Sequence, residues 1–131
     1  MTISYLSNML TYKDLQKLYN IKTNKYGNKK VKDGNETFDS VFEYNRWCEL
    51  KLLERGGVIN NLRRQVKYEL IPKSKWGRAL YYIADFVYEE NGVVVVEDTK
   101  GYLTDIFKLK ARLFEERYNF SIKLVKNSWQ P

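Results

Sequence analysis

Hydrophobic and polar positions alternate along the chain in blocks, some at helical spacing and some at strand spacing. Leu6, Met9, Leu10, Leu15, Leu18 and Tyr19 recur at helical intervals, which predicts a short helix within residues 1–20, with Thr11 placed to cap a run starting at Tyr12. Residues 22–35 are polar and rich in Lys, Asn and Gly. Two readings are open there: a flexible basic linker, or a small ribbon in which the Asp33-Gly34 pair turns Lys30–Lys32 back onto Glu36–Phe38.

Asp39 or Ser40 caps the next helix, and Glu43 stands three residues after Ser40 in a capping-box pattern. Val41, Phe42, Trp47, Leu50 and Leu53 fit a helical period, and Gly56-Gly57 ends the run. Asn61–Ile71 alternates and stops at Pro72, as a strand does. Leu80–Glu89 and Val93–Thr99 are rich in β-branched and aromatic residues, and Glu90-Asn91-Gly92 joins them as an antiparallel hairpin. Gly101 breaks the second of these strands. Asp105–Tyr118 is expected to be a helix burying Ile106, Leu109, Leu113 and Phe114, and Phe120–Val125 a last strand. The order is that of an α/β domain, a small mixed sheet flanked by helices.

Composition narrows the chemistry. With 131 residues the chain is long enough for one cored domain. One cysteine, Cys48, excludes an internal disulfide framework and a zinc knuckle, and the absence of histidine excludes a His-ligated metal or a His-based triad. No apolar run is long enough to span a membrane, and Met1–Asn20 lacks the features of a signal peptide, so a cytoplasmic location is expected. The net charge of +7 favours a polyanionic partner only slightly over ordinary solubility charge.

The hairpin carries the candidate chemistry. Asp98 and Lys100 are two apart on one strand and so share a face. Asp85 and Asp98 are each six residues from the Asn91-Gly92 turn, so they stand opposite one another on strands about 5 Å apart. Glu97 points to the other face and reads as structural or solvent-exposed. Two converging carboxylates repel, and a hard divalent cation such as Mg2+ or Mn2+ relieves that repulsion. Lys100 beside such a site is placed to orient a water or to offset charge on a phosphate. The competing reading is a salt bridge at a strand end.

Ile83-Ala84-Asp85-Phe86 followed by Val94-Val95-Val96-Glu97-Asp98-Thr99-Lys100-Gly101 resembles the signature of the PD-(D/E)XK nuclease superfamily. From Asn24 to about Val125 the chain is similar to a family of small phage-encoded endonucleases of that superfamily, long catalogued as a domain of unknown function and related to archaeal-type Holliday junction resolvases and VRR-NUC domains. The matching residues include Asn24-Lys25-Tyr26-Gly27, Phe38-Asp39-Ser40, Glu43, Glu49-Leu50, Leu53-Glu54, Gln65, Lys100-Gly101, Thr104, Phe107 and Lys110. Ala84 stands where the superfamily's name has proline.

The resemblance implies a restriction-endonuclease-like core over residues 24–131, preceded by an N-terminal helical extension over 1–23. It implies a Mg2+-dependent endodeoxyribonuclease (Mn2+ substituting), selective for branched DNA such as Holliday junctions, dimeric, and acting in the cytoplasm of a phage-infected host. It also implies a helix glutamate completing the metal set of Asp85 and Asp98, with Glu43 the first match and Glu49 the alternative, and Gln65 near the scissile phosphate. Arg63, Arg64, Lys67, Lys73, Lys75 and Arg78 before the hairpin fit a DNA-binding surface. So do Lys108, Lys110 and Arg112 after it, with Lys108 and Arg112 on one helix face and Lys110 nearer the active end. Trp76 either stacks on an unpaired base or anchors its loop on the core. A non-catalytic nucleic-acid-binding or regulatory protein on the same fold is the alternative function.

Overall fold

The computed structural model describes residues 30–126, and the expected helix within 1–20 and the extension over 1–23 lie outside them. The chain divides into two compact units, one ending at Val58 and the other beginning at Ile59. The fold is mixed α/β: a two-stranded sheet, a four-stranded mixed sheet and two helices.

In the first unit the ribbon reading holds. Strands β1 (Val31–Asp33) and β2 (Glu36–Phe38) pair antiparallel, and Gly34 takes the left-handed φ of 61° that the tight turn demands. Helix α1 (Val41–Arg55) follows. Ser40 Oγ accepts the Glu43 N–H at 3.0 Å, and the Glu43 carboxylate reaches back to the Asp39 N–H at 3.0 Å. The capping box therefore forms, with its acid one residue further back than the usual N-cap N–H. Gly57, at φ 77°, turns the chain out of the helix. Val31, Phe38, Val41 and Tyr44 form the buried cluster of this unit, and the Tyr44 hydroxyl ties it to Asp33 at 3.0 Å.

The second unit is a sheet in the order β3 (Asn60–Ile71), β4 (Leu80–Glu90), β5 (Val93–Lys100), β6 (Lys123–Lys126). The first three strands are antiparallel, and β6 lies parallel to β5. Asn91 and Gly92 both have positive φ, as a two-residue hairpin turn requires, and Glu90 pairs with Val93 across it.

Helix α2 (Asp105–Tyr118) supplies the β–α–β crossover that a parallel pair needs. Thr104 caps its start, and Asn119, at φ 63°, caps its end. Its buried stripe is Phe107 and Phe114, with Ala111 and Tyr118 partly buried between and beyond them. This corrects the expected face: Ile106 is 70 % and Leu109 53 % exposed, while Phe114 is buried and Leu113 partly so, as expected. The stripe that packs on the sheet is rotated toward Phe107. At its C-terminal end, the Tyr118 hydroxyl donates to the Glu69 carbonyl at 2.8 Å and Arg117 pairs with the Glu69 carboxylate at 3.2 Å, which fixes the helix to β3. Among the described residues no helix is long and apolar enough to cross a membrane.

Candidate active site

β4 and β5 are paired from the turn as far as Phe86 and Glu97, and the pairing stops there although both strands continue. β4 stays paired with β3 down to Leu80, and β5 stays paired with β6 from Glu97 to Lys100. The sheet therefore forks. Counting on from the last pair places Asp85 across from Asp98, the register expected from the turn.

The Asp85 side chain bridges the fork. Its Oδ2 accepts the Thr99 N–H at 2.9 Å and the Thr99 hydroxyl at 2.7 Å. A carboxylate thus satisfies a backbone donor of β5 that the interrupted ladder leaves over. β4 also changes face here. Strict alternation puts Ala84 and Val87 on opposite sides, yet both belong to the buried cluster that packs on α2. Gln65 sits across from this irregular stretch, between the pairs Arg64–Phe86 and Val66–Ala84, and holds a left-handed φ of 52°. That backbone is uncommon for a residue with a side chain, and such strain gathers at functional positions.

Asp98 is 2 % exposed. Lys100 Nζ lies 3.2 Å from its Oδ2 and 4.5 Å from the centre of the Phe107 ring, so the ammonium sits between a carboxylate and an aromatic face. The approach forms an ion pair rather than an aligned hydrogen bond, and Asp98 Oδ2 is buried with no hydrogen-bond partner. Burial first, then the hydrogen bond and charge of Asp85, push the Asp98 carboxyl from 3.8 up to about 8, and Lys100 opposes this only in part. Burial and Asp85 thus favour the protonated acid at Asp98, whereas the Lys100 ammonium favours its carboxylate. The buried Tyr82 hydroxyl stands beside the pair and also lacks an aligned hydrogen bond; burial, then Asp98 and Asp85, raise its pKa far above the ordinary phenol value.

Glu43 and Glu49 belong to the first unit. Glu43 is buried in the cap described above, and Glu49 pairs with Arg46 at 3.0 Å. Glu97 is fully buried rather than solvent-exposed: it accepts the Tyr88 hydroxyl at 2.8 Å, on the face of β5 away from Asp98. This matches the structural half of its expected reading.

The basic residues spread over several surfaces. Arg63 and Lys67 are exposed on the edge strand β3, Arg64 is half-buried, and Lys67 lies over the Tyr81 ring at 4.4 Å. Lys73, Lys75, Trp76 and Arg78 are all exposed in the loop before β4, at the sheet end where β5 and β6 finish. Trp76 is 86 % exposed under Lys75 Nζ, 4.9 Å from its ring, so it does not anchor the loop on the core. On α2, Lys108 lines a cleft with Lys100, whereas Lys110 is half-buried and Arg112 is exposed outside that cleft. Lys108, not Lys110, is thus the helix lysine beside the candidate centre.

Residues 23–130 match the family described as "Protein of unknown function (DUF1064)". The chain belongs to the DUF1064 family. Searches of curated proteins and of solved structures return no match.

The donor set of this DUF1064 chain fits a hard divalent cation. Asp98 offers a buried oxygen with no hydrogen bond, next to a second carboxylate that a cation would keep ionised beside it. Among the described residues no three Cys, Asp or Glu side chains are grouped for a metal. Magnesium is commonly held by one or two carboxylates, with water and substrate phosphate completing its shell. Sequence reasoning passed over Tyr82 and Thr99. Their signal was position: Thr99 lies between the two residues singled out, and Tyr82 lies three before Asp85.

Proposed function

We propose that this chain is a metal-dependent nuclease that hydrolyses DNA phosphodiester bonds at the fork between β4 and β5. The observation that carries this reading is the convergence of Asp85, Asp98 and Lys100 where the ladder ends, with a buried Asp98 oxygen lacking a hydrogen bond. A strand-end salt bridge needs neither the second carboxylate nor the burial. The resemblance to PD-(D/E)XK nucleases supports the same residues.

Asp85 and Asp98 would hold Mg2+, with Mn2+ able to replace it. When bound, the cation supplies an activated water and offsets charge on the phosphate. Thr99 holds the Asp85 carboxylate in place through two hydrogen bonds. A cation held there would favour the carboxylate form of Asp98 over the protonated one, because metal and proton compete for the same oxygens. Lys100, positioned by the Phe107 ring, carries positive charge to the attacked phosphate or orients the water. Glu43 as a further ligand, selectivity for branched DNA, a two-fold dimer and a phage-infected cytoplasm as the setting rest on the resemblance.

The test uses plasmid, single-stranded and four-way-junction DNA with Mg2+ or with EDTA. Wild type is expected to cleave only with Mg2+, and Asp98→Ala and Lys100→Ala to lose about 10²-fold or more. If wild type cleaves nothing with Mg2+ and binds DNA as tightly as Asp98→Ala, the protein is a nucleic-acid binder without this chemistry.

A further inference from the structure

At the ends of β5 and β6 a cleft of about 340 Å³ opens, lined by Lys100, Gly101, Tyr102, Leu103, Lys108 and Lys126. Half of these residues are cationic and none is acidic. Lys126 is the register partner of Lys100 in the parallel β5–β6 pair, so the two side chains lie side by side. Lys108 comes from the second turn of α2. Lys100 has Asp98 as its ion-pair partner, but Lys108 and Lys126 have no acidic partner among the described residues.

Three ammonium groups gathered around one concavity repel each other, and among the described residues no carboxylate pairs with Lys108 or Lys126. An anion in the cleft removes that repulsion. The cleft is also continuous with the acid pair, because Lys100 belongs to both: it touches Asp98 Oδ2 and it lines the cleft wall. A chain of evenly spaced anions crossing Asp85 and Asp98 would place its neighbouring charge here.

The geometry points to a backbone-phosphate subsite in this cleft, in which Lys126 and Lys108 hold the DNA phosphate next to the one at Asp85 and Asp98. The inference rests on the nuclease reading for the identity of the strand, and it assigns Lys126 a role in binding. Lys108 and Lys126 position the strand, and Lys100 is shared between binding and reaction.

Equilibrium binding of a short duplex in EDTA, measured over a salt series, tests this without cleavage. Each of Lys108→Ala and Lys126→Ala is expected to reduce the slope of log K against log salt by roughly 0.9. The double variant weakens binding by about tenfold or more at low salt, and Lys126→Arg retains wild-type binding. Lys123→Ala serves as the control, since Lys123 lies toward Glu97 at 4.0 Å, on the other face of β6, and its slope should match wild type. A double variant with the wild-type slope, a control that falls as far as the double variant, or a wild type with no salt-dependent binding overturns the subsite.

The outcomes separate from those of the nuclease reading. Cleavage by wild type with unchanged binding by the double variant removes the subsite alone. A reduced slope in a protein that cleaves nothing supports the subsite and removes the nuclease.

Discussion

One carboxylate oxygen of Asp85 accepts both the backbone N–H and the hydroxyl of Thr99 across a gap where the two strands are no longer paired. The two donors contribute separately. Thr99→Val removes the hydroxyl and leaves the N–H bond, and is expected to cost about 1.5–3 kcal/mol, as a hydrogen bond to a charged group does. Asp85→Ala strips the acceptor from both donors and is expected to cost more. Urea unfolding in EDTA checks the order, and equal losses would show that the backbone bond contributes nothing.

The protonation of Asp98 makes stability depend on pH in a defined window. Its carboxyl titrates at about 8 when folded against 3.8 as the ordinary value. Between those values the folded chain keeps a proton that the unfolded chain has released. Stability from this group is therefore full below about pH 4 and is lost as pH rises toward 8, by up to about 1.4 kcal/mol per pH unit. In EDTA, Asp98→Asn should flatten that slope and be more stable than wild type near pH 8.5. Added Mg2+ should stabilise wild type more at pH 8.5 than at pH 6, because the cation displaces the proton. Thermal unfolding across pH with and without Mg2+ reads both effects, and parallel profiles for wild type and Asp98→Asn would contradict them.

Gln65 holds its left-handed backbone across from Asp85. Glycine adopts that conformation without strain, whereas alanine keeps the strain and also lacks the amide, so Gln65→Gly is expected to be more stable than Gln65→Ala by about 1 kcal/mol in urea unfolding. If the amide also serves the phosphate, both variants lose cleavage. A Gln65→Gly protein that is fully active would leave Gln65 without a part in the reaction.

Trp76 is exposed in a basic loop at the sheet end that also carries Lys100 and Lys126. Trp76→Ala is expected to change folding stability by less than about 0.5 kcal/mol. Binding to single-stranded or branched DNA should weaken by about 1–3 kcal/mol if a base stacks on the ring. Tryptophan fluorescence quenching on DNA addition, lost in the variant, reports the contact directly. Unchanged affinity would place the strand elsewhere.

Much of the site was legible in the sequence because it lies in one local hairpin. Asn91-Gly92 specifies the turn, and the turn specifies the register of Asp85 against Asp98. The fork was not legible, because it depends on where backbone pairing ends rather than on which residues are apolar. The buried face of α2 was misjudged for a related reason. Ile106, Phe107, Leu109, Leu113 and Phe114 span more than one face, and only the sheet decides which of them packs. Lys126 escaped notice because its place beside Lys100 is created by a parallel pairing across the whole of α2. Glu97 shows the same limit: alternation gave its face, but not that this face is buried.

The stretch Val93–Val96 presents the same side chain to both faces of the sheet, so its pattern alone cannot distinguish one alignment of β5 from an alignment shifted by one residue. The next two residues are both acids, so a shifted strand would still bring a carboxylate, the longer Glu97, to the side of Asp85, but with Thr99 rather than Lys100 beside it on that face. What separates the two arrangements is the two-residue length of the Asn91-Gly92 turn. The length of that loop therefore decides whether the acid opposite Asp85 has a lysine or a threonine as its neighbour on the same face.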